Sequence, residues 1–144
     1  ITNATHLQFP KVREGLSLLT SFRGEIWGKL DAGTDAWFRQ INGSSMSLET
    51  IQNNLEMTVK DFPMQIQTML CKIGDNFPSQ VEIDAYLKRL EKIYYAGKEN
   101  FKGVQLYGVV RQTALDTVSA LPKDFLENVA EQIRNSLPVC VNVF

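Results

Sequence analysis

Residue types able to do chemistry are thin in this chain of 144 residues. The one histidine, His6, lies in a leading segment expected to fray. It cannot build a multi-histidine metal site, and it is badly placed to serve a nucleophile triad. The carboxylate pairs Asp31/Asp35 and Glu127/Glu131 stand at i, i+4. To act as acid and base they would need a shared cleft and separated pKa values. On helices of ordinary composition such pairs are solvated faces. Gly24, Gly28 and Gly33 do not form a G-x-G-x-x-G phosphate cradle. The expectation is a protein that is not an enzyme and holds no metal and no cofactor.

Sulfur offers the sharper signal. Cys71 and Cys140 are too far apart for a Cys-x-x-Cys redox motif. The last residues, Pro138 to Phe144, are apolar enough to need cover and too short to fold alone. A Cys71–Cys140 disulfide would tether that tail. Closing so long a loop is worth about 4 kcal/mol in the chain-entropy model. Such a bond belongs to an oxidising compartment.

The remaining signal is apolar bulk: eight Phe, four Tyr, two Trp and four Met. Methionine adapts to ligands of different shape, and the interior of a helical bundle can hold an apolar pocket. Trp27, Trp37, Phe62, Ile66, Met69, Tyr86 and Tyr94 are the expected lining. The hydroxyls of Tyr86, Tyr94, Tyr95 and Tyr107 would orient a ligand's polar end, and Lys60, Lys72 or Arg89 would pair with a carboxylate at the mouth. The function expected from this is a secreted, non-enzymatic carrier of a small hydrophobic ligand such as a fatty acid or other lipid. The alternative is a secreted protein-binding ligand or inhibitor, cytokine-like or antagonist. It would act through an exposed aromatic patch at Trp37-Phe38 or through the Val139–Phe144 tail.

Charge excludes other classes. Fifteen basic and sixteen acidic side chains are interspersed, for a net −1. No basic patch exists to neutralise a row of phosphates, so nucleic acid is not an expected partner. Clustered Lys and Arg for an anionic membrane surface are also missing. No apolar run approaches the roughly 20 residues of a transmembrane helix. The chain opens Ile1-Thr2-Asn3, which reads as a product whose signal peptide has been removed. The sequons Asn3-Ala4-Thr5 and Asn42-Gly43-Ser44 would make it an extracellular glycoprotein.

The elements that must position these residues read as helices throughout. One starts at Pro10 and runs to about Leu30, and a short one carries Ala36 to Ile41. A third carries a stripe of Leu48, Ile51, Leu55, Val59, Phe62, Ile66, Met69 and Ile73, kinked at Pro63. Ser79 and Glu82 form a capping box that opens a fourth, ending at Gly97. A fifth is expected from about Asn100 or Val104 to Ala120, with Thr113 on its apolar side, and a sixth from Pro122 to Leu137. The predicted fold is all-α: a compact bundle of five to six helices forming a single domain over 1–144. Residues 1–9 would be flexible, and 138–144 would be the disulfide-tethered tail.

Overall fold

The structure, a computed structural model, describes residues 1–42, 45–111 and 116–144. The architecture is α/β, not all-α. Five helices occur among the described residues: α1 (Pro10–Ser21), α2 (Asp35–Ile41), α3 (Leu48–Asp61), α4 (Gln80–Ala96) and α5 (Lys123–Ser136). Between them run β1 (Ile26–Lys29), β2 (Met64–Met69), β3 (Lys72–Ile73), β4 (Phe101–Tyr107), β5 (Val118–Ser119) and β6 (Val141–Val143). Four strands form one sheet in the order β1-β2-β4-β6, parallel throughout, while β3 and β5 pair antiparallel beside it. No helix among the described residues is long and apolar enough to cross a membrane.

Helix stop signals explain where the bundle expectation fails. The first helix ends at Ser21, because Gly24 N–H bonds Leu19 O and Arg23 N–H bonds Thr20 O. That double bond is the Schellman termination. The third helix ends at Phe62, whose extended backbone (φ −133°, ψ 139°) is the conformation a following proline imposes. Pro63 is therefore a boundary, not a kink. Beyond it, Met64, Ile66 and Thr68 are buried and alternate with half-buried Gln65, Gln67 and Met69. The stripe continued past Pro63 at helical spacing, but in the strand Ile66 and Met69, three residues apart, face opposite sides of the sheet. Residues 101–107 are likewise strand. Gly103, a weak point for a helix, takes φ +139° at a register shift between β2 and β4. A Cβ there would stand 2.8 Å from Cys140 O. Thr113 lies outside the described residues.

Each crossover moves one strand in the same direction, and right-handed connections then place the crossover helices on one face. There α3, α4 and α5 pack side by side. Leu55, Val59, Leu90, Ile93, Val129 and Ile133 meet Ile26, Met64, Ile66, Val104 and Leu106 in one core. By contrast α1 buries none of its residues, and Leu18, Leu19 and Phe22 stay exposed. At the chain start Thr2 bridges Gly28 in parallel, and Ala4 and Leu7 are buried.

The tail is held by backbone pairing. Val104 N–H donates to Cys140 O at 2.9 Å, Phe144 N–H to Leu106 O at 3.0 Å, and the Arg134 guanidinium to Val141 O at 2.7 Å.

A polar joint ties α2 to α4. Ser79 caps α4 as expected, accepting from Glu82 N–H at 3.2 Å. The Glu82 carboxylate does not complete the box. It accepts from Gly33 N–H, from Thr34 N–H at 2.9 Å and from the Thr34 hydroxyl. Arg89 Nε closes the joint on Gly33 O at 2.6 Å.

Candidate functional site

Parallel sheets are almost always covered on both faces. Among the described residues, helices cover only one face of this sheet. The bare face carries the alternate residues of each strand: Trp27 and Lys29 from β1, Gln65, Gln67 and Met69 from β2, Gln105 and Tyr107 from β4. Register places Lys29, Gln67, Gln105 and Asn142 in a single row across the sheet. Gln105 Nε2 donates to Gln65 Oε1 at 3.0 Å, and Gln67 Nε2 to Gln105 Oε1 at 3.5 Å, so the amides form a ladder.

Charge gathers at the C-terminal ends of the strands. Lys29 Nζ lies 3.2 Å from Asp31 Oδ2 and donates to Tyr107 Oη at 2.7 Å, with its ammonium 5.3 Å from the Tyr107 ring centre. Asp31 Oδ1 accepts from Met69 N–H at 2.8 Å. Both charged side chains are mostly covered, 20% exposed for Lys29 and 12% for Asp31. Burial pushes the Asp31 carboxyl above its ordinary range, against the pull of Lys29 and the Met69 N–H. Desolvation draws the Lys29 ammonium down, but Asp31 and Tyr107 outweigh it, and its net direction is up. Beside this pair a cleft of about 290 Å³ is lined by Trp27, Gln67, Gln105, Tyr107, Val110 and Phe144. It offers flat rings and amide donors and acceptors, and its Tyr107 hydroxyl is held by Lys29.

The residues expected to line a common cavity are dispersed. Trp27 borders the cleft, and Met69 follows Gln67 on the same face. Ile66 is fully buried on the helix-covered face. Tyr86 is buried, its hydroxyl 2.7 Å from that of Thr68. Burial and its contact with Asp31 raise its pKa despite that bond, with burial the larger cause. Phe62 ends α3 under the Arg13 guanidinium. Tyr94 packs edge-on against Tyr95 and Phe101. Trp37 packs against the core and Phe38 is buried, so that pair presents no aromatic patch. Lys60 is exposed, Lys72 lies in β3, and Arg89 belongs to the α2–α4 joint. Asn3 is exposed; Gly43 and Ser44 of the second sequon lie outside the described residues.

The bare-face residues Lys29, Gln65, Gln67 and Gln105 carried no expectation from the sequence, and Asp31, read there as half of a solvated pair with Asp35, is mostly covered. A signal for them existed in Met64-Gln-Ile-Gln-Thr-Met69 and Val104-Gln-Leu-Tyr107, both alternating with period two. Among the described residues, no three His, Cys, Asp or Glu side chains gather as metal ligands.

The expected disulfide is absent. Cys71 is a buried free thiol and Cys140 an exposed one. Parallel pairing explains why: Cys140 precedes Val141, which is level with Val104 and Ile66, whereas Cys71 lies past the opposite end of β2. Strand rise puts them roughly 20 Å apart along the sheet, against the 7 Å or less between Cα atoms that a disulfide requires. Two unpaired thiols give no reason to place the chain in an oxidising compartment. Alkylation of unreduced protein should modify both residues, Cys140 first and Cys71 slowly, because burial raises the Cys71 thiol pKa. A mass deficit of one S–S bond that reduction reverses would refute this.

No model of a known protein family matches the chain, and no curated protein matches it.

Proposed function

We propose that this chain is a small-molecule-binding α/β domain whose ligand lies across the bare sheet face at the C-terminal ends of β1, β2 and β4. The observation that carries this is the mostly buried Lys29–Asp31 pair with Tyr107, placed on the one face that no helix covers. In open parallel sheets the carboxyl ends of the strands are where ligands bind. The proposal keeps binding as the activity and changes both the site and the ligand. Trp27, Tyr107 and Phe144 suit a flat ring, and the Gln67 and Gln105 amides suit hydroxyl or amide groups on it. A long alkyl chain would leave that amide ladder unmatched, which costs about 1–3 kcal/mol per unpaired group.

An NMR screen of ring-bearing compounds with hydroxyl or amide substituents tests this. Hits should shift the resonances of Trp27, Gln67, Gln105 and Tyr107, and Gln105→Ala should weaken them at least tenfold. Hits that map elsewhere, or that bind Gln105→Ala as tightly as the parent, would sink the proposal.

A further inference from the structure

At the opposite end of the bare face a larger pocket, about 400 Å³, borders the N-terminal ends of β1 and β2. That volume falls within the range of small-molecule sites, roughly 300–1,000 Å³. Ile26, Pro63 and Met64 give it an apolar lining, and Gln65 adds an amide. Two cations, Arg23 and Lys102, and one carboxylate, Glu25, also border it. Glu25 is already engaged, accepting from Trp27 Nε1 at 2.9 Å, and Lys102 Nζ donates one of its three protons to Glu99 O at 2.8 Å.

Arg23 is the informative residue. It occupies the left-handed position of the α1 termination, with φ 60°. Glycine takes that conformation freely, whereas an L side chain there costs on the order of 1 kcal/mol. Gly24 follows directly, where a Cβ would stand 2.8 Å from Leu19 O, so that glycine is needed in its own place and the strain falls on Arg23. Among the described residues, the guanidinium of Arg23 makes no hydrogen bond or ion pair that would explain the choice. Strain of this kind concentrates at functional sites. Its effect here is to set a guanidinium on the rim of an apolar pocket.

We infer that this second pocket binds a small amphipathic anion. Its carboxylate, sulfonate or phosphate sits between Arg23 and Lys102, and its apolar body lies on Pro63, Ile26 and Met64. The site shares no lining residue with the cleft at the other end of the sheet, although the Gln105–Gln65 and Trp27–Glu25 hydrogen bonds join their walls, and either can fail alone.

Octanoate is the probe, with octanol and octylamine as its neutral and cationic counterparts. Titration followed by NMR should show saturable octanoate binding with shifts at Gln65 and Lys102, at least tenfold tighter than for either counterpart. Binding should weaken as salt screens the exposed cations. Arg23→Gly should relieve the backbone strain and raise the thermal midpoint while lowering octanoate affinity at least tenfold. Those opposite signs cannot come from a variant that merely unfolds. Lys102→Glu should lower affinity by a similar factor without touching the α1 termination. Octanol binding as well as octanoate, unchanged affinity in Arg23→Gly, or no saturable binding would each overturn the inference.

Discussion

Replacing Glu82 with alanine should lower the unfolding free energy by about 3–5 kcal/mol, measured by urea denaturation with the m-value unchanged. Glu82 is 5% exposed, and its carboxylate answers three donors: Gly33 N–H, Thr34 N–H and the Thr34 hydroxyl. Alanine fills none of the vacated space and leaves those donors, the buried Gly33 N–H and the two of half-buried Thr34, without their acceptor. Each orphaned buried donor costs about 1–3 kcal/mol. Against a total stability of roughly 5–15 kcal/mol, the loss would leave a marginal fold. Glutamine retains one acceptor oxygen but turns an NH₂ toward a donor, so Glu82→Gln should lose roughly half as much. A loss below about 1 kcal/mol in Glu82→Ala would mean that water reaches the joint and that α2 is held by something else.

Gly33→Ala tests the same joint by shape. A Cβ at Gly33 would stand 2.2 Å from Tyr86 N and 2.4 Å from Glu82 O, both backbone atoms of α4. Backbone in the middle of a helix cannot step aside, so the joint must open, and overpacking of this kind costs about 1–3 kcal/mol or more. Opening it also lengthens the Glu82 bonds, so the expected loss is at least 3 kcal/mol, with reduced soluble yield. Gly15→Ala is the control. Gly15 lies inside α1 with nothing within 4 Å of a built Cβ. There the same substitution should add about 0.5–1 kcal/mol by helix propensity alone. The Gly33/Glu82 double variant should lose clearly less than the two single losses together, since both break one joint. Simple additivity, or a mild Gly33→Ala, would show that the two contacts are separate.

How much of the candidate site could be read in advance depended on which neighbours a residue needed. Trp27 and Tyr107 attracted notice as rings, but their role as walls of one cleft rests on β1 and β4 flanking β2. Lys29 and Asp31 are an unremarkable pair in the sequence. They matter because Tyr107, far along the chain, is brought to the same strand ends. The glutamines show the same limit. On a helix Gln65, Gln67 and Gln105 would be scattered surface amides, whereas parallel register makes them a ladder. Cys71 and Cys140 were paired on the need to cover the tail, and the sheet meets that need by taking the tail as β6.

By itself the sequence determined the helices at Asp35–Ile41, Gln80–Ala96 and Lys123–Ser136, and the start at Leu48 of a helix whose end at Asp61 it missed. It also marked the proline start at Pro10, the serine cap at Ser79 and a chain without clustered cations. These depend on partners three or four residues away, so a local pattern contains the whole interaction. The tertiary structure alone decided that residues 26–29, 64–69, 101–107 and 141–143 pair in parallel in one sheet, that among the described residues helices cover one face of it, and that the two thiols lie at opposite ends of it. A parallel strand finds its hydrogen bonds only in segments dozens of residues distant, reached through a crossover helix. No short window of sequence can record that choice.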